Sequence, residues 1–199
     1  MSVLAHIERH LGVSDDPSAY NGDVLKWACA TGRTPVVERL FSLGLTVNDV
    51  RADNNVALRL ACGGGYLDVV NRLIELGLDA NDARADNNHA LRFACGGGHL
   101  DVVNRLIELG LDADDARARD NMALRWACRN GHLDVVNRLI ELGLGAADAR
   151  AFDKEALREA CEYDHLAVVN RLIELGLNAA DARAWDNYAL RLACEDGHL

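Results

Sequence analysis

Hydrophobic and polar positions follow one another in a fixed order along most of this chain, and the order is typical of paired α-helices. In the segment that begins at Asp53, residues 56–62 predict a short first helix with Leu58 and Ala61 facing inward. The glycines at positions 63–65 predict its end, because glycine is a poor helix interior and a natural terminator.

A second helix is predicted over residues 67–76 of the same segment. Its apolar side chains recur at i, i+1, i+4 and i+5 and therefore share one face. They are Val69, Val70, Leu73 and Ile74. Gly77 predicts a left-handed C-cap for this helix, and residues 78–84 predict a polar loop that leads to the next segment.

This two-helix pattern returns every 33 residues. A unit of this length cannot bury its apolar face alone and must stack on its neighbours. We therefore expect one solenoid domain over residues 1–199, with an amphipathic capping helix over residues 1–19. The predicted complete repeats are residues 20–52, 53–85, 86–118, 119–151 and 152–184, and residues 185–199 form a partial repeat.

The six cysteines follow the same period, one in each repeat. Stacked helices lie roughly 8–10 Å apart, whereas a disulfide needs Cα atoms within about 7 Å, so we expect no bridge between neighbouring copies. No C-x-x-C pair suggests a zinc site. Free thiols favour a reducing, intracellular compartment, and we expect the protein to be cytoplasmic.

Composition narrows the classes of partner. Half of the residues are hydrophobic and only two are proline, which argues against a disordered chain. The formal charge of −10 would repel a phosphate backbone, so nucleic acid is not an expected partner. No apolar run approaches the length of a membrane span, and the first residues lack the pattern of a signal peptide. We therefore expect no membrane partner.

The second half of each copy resembles the ankyrin repeat. Residues 98–113, GHLDVVNRLIELGLDA, are similar to the family pattern G-H-L-E-V-V-x-x-L-L-x-x-G-A-D. The resemblance covers about 180 residues, from Tyr20 to Leu199, and implies an all-α solenoid of helix-turn-helix repeats. It also implies that hairpin loops and first helices form a concave face, whereas second helices form a convex back.

The first half of each copy departs from the family pattern. Where ankyrin repeats carry T-P-L-H, this chain has x-A-L-R, as in V-A-L-R at Val56. The capping threonine is missing, so we expect the preceding asparagines, such as Asn55, to cap the first helix. The recurring arginines, such as Arg59, need other partners than the usual Thr–His bond, and the loop aspartates Asp82, Asp115 and Asp148 are candidates.

Differences between the copies gather at a few register positions: the turn tip and one side of the first helix. Aromatic residues are scarce in the chain as a whole, yet they recur at these positions, and Trp, Tyr and Arg dominate protein–protein binding energy. Drift among duplicated copies does not explain that excess. The candidate contact residues are His89, Phe93, Arg119, Met122, Trp126, Arg129, Phe152, Glu155, Glu159, Tyr163, Trp185 and Tyr188.

Catalytic and cofactor-binding patterns are missing from the sequence. The histidines at 99, 132, 165 and 198 form a register with a structural role, in which each bonds turn backbone. The glycine triplets lack the strand and the Lys-Ser/Thr of a phosphate-binding loop. We therefore expect no enzyme, no metal and no cofactor.

We interpret the chain as a non-catalytic module that binds a protein partner on the concave face. The near-identical frame fits recent duplication in a natural interaction protein, or a binder built on a fixed scaffold. A different class of function is a structural or self-assembling solenoid. Its last copy stops at Leu199, and that uncovered C-terminal end could pair into a homodimer.

Overall fold

The computed structural model describes residues 21–182 of the 199-residue chain. The predicted N-terminal capping helix, the partial last repeat and the C-terminal end proposed for self-association lie outside the described residues. The helices are α1 (Asn21–Ala30), α2 (Thr34–Ser42), α3 (Val47–Gly63), α4 (Leu67–Glu75), α5 (Ala80–Ala83), α6 (Ala85–Gly96), α7 (Leu100–Glu108), α8 (Ala113–Ala116), α9 (Ala118–Arg129), α10 (Leu133–Leu142), α11 (Ala146–Glu162), α12 (Leu166–Glu174) and α13 (Ala179–Ala182).

Across residues 21–182 the structure is helical and contains no strand, as predicted. The first helices are α1 and the latter parts of α3, α6, α9 and α11, and the second helices are α2, α4, α7, α10 and α12. Val69, Val70 and Leu73 are fully buried, and Ile74 packs partly buried against the same core. Gly77 has the predicted left-handed conformation, with φ of 113°.

First helices pack more closely on one another along the stack than second helices do. Leu58 and Ala61 of α3 and Leu91 of α6 are fully buried between them. The cysteines of the first four repeats are buried free thiols in the same layer, and burial raises the pKa of the Cys29 thiol to about 12. Cys161 is half-buried and free, and Cys194 lies outside the described residues.

Three consecutive residues with left-handed backbone precede each first helix from α3 onwards. In α3 they are Asp53, Asn54 and Asn55, with φ of 53°, 55° and 57°. Asparagine and aspartate tolerate this region better than other non-glycine residues. The prediction that Asn55 caps the helix is wrong: an N-cap residue has extended backbone angles, whereas Asn55 is left-handed. Its buried Oδ1 has no hydrogen-bond partner, and the same holds at Asn88 and Asn121.

The predicted polar loop contains a short helix, α5. The Oδ1 atom of Asp79 accepts hydrogen bonds from the backbone N–H groups of Asn81 and Asp82, at 2.7 and 3.2 Å. The Asp82 carboxylate accepts one from the Asp79 N–H at 3.0 Å. This reciprocal capping box starts the turn, and Asp112 and Asp115 repeat it at α8.

The loop aspartates pair with arginines of the preceding loop rather than with the arginines of the first helices. Arg84 Nε donates to Asp115 Oδ1 at 3.0 Å, and its Nη2 donates to the backbone carbonyl of Gly110 at 2.7 Å. The same pairing joins Arg51 to Asp82, Arg117 to Asp148 and Arg150 to Asp181. The partners that we predicted for Arg59 and its equivalents were therefore wrong, because a separate loop arginine 31 positions earlier holds each aspartate.

The histidines before the second helices have the structural role that the sequence predicts. The Nε2 atoms of His99 and His132 lie 3.0 and 3.1 Å from the backbone carbonyl oxygens of Gly63 and Gly96 in the preceding repeat. His165 contacts the carbonyl of Arg129 at 2.8 Å in the same way. Each histidine therefore joins two neighbouring turns.

Candidate functional site

The described candidate contact residues lie in the left-handed turns, in the first helices and at the ends of these helices. Phe93, Phe152 and Tyr163 are 40%, 56% and 42% exposed. Arg119 and Arg129 are also exposed. His89, Met122, Trp126 and Glu155 are half-buried, and Glu159 is buried. Trp185 and Tyr188 lie outside the described residues. We call this set, from His89 to Tyr163, the first-helix surface.

Aromatic rings meet within one repeat and across the boundary to the next. The ring centroids of His89 and Phe93 are 4.1 Å apart, and those of Phe93 and Trp126 are 5.3 Å apart in an edge-to-face arrangement. A Cβ atom added at Gly63 would lie 3.2 Å from Phe93, and one at Gly96 would lie 3.0 Å from Trp126. The glycines thus leave room for the rings to lie against the preceding repeat.

Trp27 occupies the equivalent position in the first repeat but is not among the predicted contact residues. It lies 33 residues before Leu60 and 66 before Phe93, and it is 43% exposed in α1. Leu60 itself is half-buried against the core. The period alone could have identified Trp27, because the diverged first copy keeps the spacing of its cysteine and its first helix.

At three repeat boundaries the turn tip contacts the basic residue of the first helix before it. Lys26 Nζ donates to Asp53 at 2.6 Å, and Arg59 Nη1 donates to Asp86 at 2.6 Å. At a later boundary the guanidinium of Arg125 lies 4.2 Å from the centre of the Phe152 ring, which is a cation–π geometry. The varying turn tips are therefore partners of a nearly constant basic position.

The first residue of three of the first helices, at positions 89, 122 and 155, contacts the same basic position. His89 Nδ1 lies 3.0 Å from Arg59 Nη1 and 2.7 Å from an Asp86 oxygen. Burial lowers the pKa of the His89 ring, although its hydrogen bond with Asp86 opposes that shift. Arg92 Nη1 donates to the Met122 thioether at 2.9 Å, and Arg125 forms an ion pair with Glu155.

At the boundary between residues 119–151 and 152–184, a contact between charged side chains replaces the aromatic contact. Arg129 stands where the earlier copies have Gly63 and Gly96, and Glu159 stands where they have Phe93 and Trp126. The Arg129 Nε and Glu159 Oε2 atoms are 3.6 Å apart. Arg129 also donates to the Tyr163 hydroxyl at 2.7 Å and lies 4.9 Å from the centre of that ring.

Arg158 forms ion pairs with three carboxylates of its own repeat, residues 152–184. Its guanidinium lies 2.8 Å from Glu155, 3.2 Å from Glu159 and 3.0 Å from Glu162. Burial raises the pKa of the Glu159 carboxyl, although Arg129 and Arg158 oppose the shift. The Glu155 and Glu159 side chains are mostly buried, so they position the neighbouring arginines.

The arrangement suits noncovalent recognition: exposed rings and guanidinium groups on a rigid helical frame. Within residues 21–182, no cluster of His, Cys, Asp or Glu has the arrangement of a metal site. None of the helices there is both long and apolar enough to cross a bilayer.

Comparison with known families gives one match. The family model described as "Ankyrin repeats" matches in three overlapping copies, at residues 25–117, 58–153 and 124–199. The matched segments together cover most of the 199 residues. No curated protein matches the chain.

Proposed function

Because this chain belongs to the ankyrin repeat family, whose repeats are generally protein–protein interaction modules, we propose that it binds a protein partner on its first-helix surface. The fold is one that is typically non-catalytic, and we assign the chain no reaction and no cofactor. The partner lies along the concave side of the stack and contacts several consecutive repeats.

One observation supports this proposal: large side chains, several of them exposed, continue across two repeat boundaries on one side of the stack. Phe93 and Trp126 meet at one boundary, Arg125 and Phe152 at the next, and Arg129 lies over Tyr163. Exposed aromatic and arginine side chains on a rigid frame provide contact area at a low entropic cost. A surface built this way is suited to binding a protein segment.

The closer packing of the first helices supports the concave placement. A stack whose elements lie closer on one side bends toward that side, so the first-helix surface lines the inside of the curve. A chain segment lying in this curve can contact Phe93, Phe152 and Tyr163 together, since all three are at least 40% exposed.

The candidate residues have different parts in this proposal. Phe93, Arg119, Arg129, Phe152 and Tyr163 contact the partner directly, because they are exposed. His89, Met122 and Trp126 contribute their outer edges. Glu155 and Glu159 position arginines, since their carboxylates are mostly buried in ion pairs. Trp185 and Tyr188 would extend the surface by one repeat.

Net charge and cysteine state support two further parts of the proposal. The charge of −10 disfavours nucleic acid as the partner. Buried free thiols at Cys62, Cys95 and Cys128 suit a reducing compartment, so we place the protein in the cytoplasm.

Affinity capture with matched variants tests this function. The test variant carries Phe93→Ala with Phe152→Ala, and the control carries Leu166→Ala with Ile173→Ala, two residues of α12 that are 65% and 53% exposed. We expect the control and the native chain to retain the same protein from a lysate, and the test variant to lose it. Equal retention by the test variant would move the binding site away from the first-helix surface.

Circular dichroism separates a lost contact from a lost fold. All four substituted side chains are at least 40% exposed, so we expect both variants to keep the native helical signal and to melt within a few degrees of each other.

A further inference from the structure

The basic position of the first helix has an acidic partner in every repeat within residues 21–182 except one. Lys26 pairs with Asp53, Arg59 with Asp86 and Arg125 with Glu155, whereas Arg158 contacts three glutamates. Arg92 makes no ion pair with any residue in that range. The turn tip that should face it is an arginine, Arg119, in the position that Asp86 holds against Arg59.

Arg92 is held in place by neutral groups alone. It is only 6% exposed. Its Nε and Nη2 atoms donate to the backbone carbonyls of Asn87 and Asp86 at 3.0 Å, and Nη1 donates to the sulfur of Met122. The nearby carboxylate of Asp86 is already engaged by Arg59 and His89. A buried guanidinium normally has an anionic partner, and no carboxylate among the described residues forms an ion pair with Arg92.

Arg119 adds a second positive charge at this boundary. It is exposed and makes no ion pair within residues 21–182. Burial lowers the pKa of the Arg92 guanidinium, and the charge of Arg119 lowers it further, although the charge of Asp86 opposes the shift. Two positive charges close enough to interact at one boundary are unfavourable in the free chain, and an anion bound beside them would offset that cost.

We propose that Arg92 and Arg119 form the docking point for a carboxylate of the protein partner, supplied by an aspartate or glutamate side chain. This inference rests on the proposed function, because it names the chemistry of the partner at the first-helix surface. The other boundaries of this chain indicate a carboxylate, since Asp53, Asp86 and Glu155 pair with the equivalent basic residues. The guanidinium fork of the exposed Arg119 matches a carboxylate with two parallel hydrogen bonds, and the buried Arg92, whose nitrogens already donate within the chain, adds positive charge at the same boundary.

The neighbouring side chains define what flanks that carboxylate. Phe93 lies one residue after Arg92 in α6, and Trp126 meets its ring edge to face. A partner residue next to the acidic one can therefore pack on an exposed aromatic ring. The favoured segment thus has an acidic residue beside an apolar one. The net charge of −10 does not prevent an acidic segment from binding here. Screening reduces interactions beyond about 8 Å at physiological salt, so the charges close to the site determine its preference.

A random peptide library displayed on phage, selected on the full chain, provides the probe. These peptides carry no phosphate, so carboxylates are their only strong anions. We expect the selected peptides to share an aspartate or glutamate next to an apolar residue. A selection without that shared acidic residue would overturn the inference.

The decisive measurement is the affinity of one selected peptide and of its Glu→Gln or Asp→Asn counterpart. Three chains are compared by fluorescence polarisation: native, Arg119→Asp and Arg39→Asp. Arg119→Asp restores the residue found at Asp53 and Asp86, whereas Arg39→Asp makes the same charge change at an exposed site on α2. Removing the peptide carboxylate should weaken binding to the native and Arg39→Asp chains by roughly tenfold. It should have little effect on binding to Arg119→Asp.

Failure of the carboxylate site and failure of the proposed function give different results. An equal effect of the carboxylate on all three chains would overturn the role of Arg92 and Arg119 while leaving the binding function intact. Peptides that bind the Phe93→Ala, Phe152→Ala variant as well as the native chain would contradict the proposed function itself. A thermal melt of Arg119→Asp checks its fold, and we expect it to melt no lower than the native chain because a like-charge contact is removed.

Discussion

Trp126 lies over Gly96 across a repeat boundary, so closely that a Cβ atom added to the glycine would be 3.0 Å from Cε3 of the ring. Gly63 and Phe93 have the same relationship one boundary earlier, at 3.2 Å. At the following boundary the glycine position carries Arg129 and the ring position carries Glu159. The variable positions therefore change in pairs, because each side chain must fit its neighbour 30 residues away as well as any partner.

Exchanging one pair for another tests this coupling. Gly96→Arg alone should lower the free energy of unfolding by about 1–3 kcal/mol, because the new side chain meets the Trp126 ring. Trp126→Glu alone should also destabilise, since the ring contact with Phe93 is lost. The double variant recreates the Arg129–Glu159 combination and should recover about 1 kcal/mol or more relative to the sum of the single changes. Urea unfolding measures all three, and simple additivity would show that the pair is not coupled.

Phe152 offers a test of stability against binding. Its φ is 51°, in a left-handed region that costs most residues roughly 1–2 kcal/mol but that asparagine tolerates. The cation–π contact with Arg125 stabilises the folded chain by about 0.5–1 kcal/mol at an exposed site. Phe152→Asn should therefore raise the free energy of unfolding by about 0.5–1 kcal/mol while it weakens partner binding.

Phe93→Asn provides the matched comparison in urea unfolding. Phe93 is also an exposed aromatic residue, but it lies in a right-handed helix and contacts two rings, so the same change should destabilise. A loss of stability in both variants would mean that the backbone at Phe152 carries no strain that asparagine relieves.

The stabilising contribution of the Asp148 carboxylate should be lost in acid. Burial raises the pKa of this carboxyl, but hydrogen bonds from Arg117 and from the Gly145 N–H outweigh burial, and the pKa lies below its ordinary value. Its stabilisation is therefore fully present above the unfolded-state pKa of about 4 and is lost as the pH falls through the lower folded-state pKa. Asp148→Asn should cost about 1–3 kcal/mol at pH 7 and much less at pH 2. The exposed Asp153→Asn serves as control in unfolding curves across that range, and a pH-independent difference would contradict the prediction.

Glu159 should affect the pH dependence of the free energy of unfolding in the opposite direction. Burial raises the pKa of its carboxyl above the ordinary value, despite the opposing charges of Arg129 and Arg158. The folded chain then holds a proton more tightly than the unfolded chain does, so ionisation of Glu159 costs stability as the pH rises through that pKa. Glu159→Gln should be more stable than the native chain by about 0.5–1 kcal/mol at pH 7, and the gain should vanish below about pH 4. A less stable Glu159→Gln at pH 7 would show that the arginine pairs outweigh the burial cost.

Sequence alone predicted the elements well, because they depend on local pattern. The apolar spacing in residues 67–76 and the glycine at 77 predict one helix and its end, and α4 and the left-handed Gly77 confirm them. The short helix α5 was missed because its signal is a capping box of two aspartates rather than an apolar face. Asn55 was wrongly assigned as a cap because its left-handed backbone cannot be recognised from an asparagine in a turn.

The sequence by itself determined the repeat, the all-α fold and the side of the first helix on which copies differ, since a 33-residue period and helical spacing are properties of the chain alone. Only the tertiary structure decided which residues meet. It paired Asp82 with Arg51 rather than Arg59, placed Phe93 against Trp126, and left Arg92 beside Arg119 without a carboxylate among the described residues. The physical reason is that stacking brings together residues 26 to 36 positions apart, and their contacts depend on how closely neighbouring repeats pack.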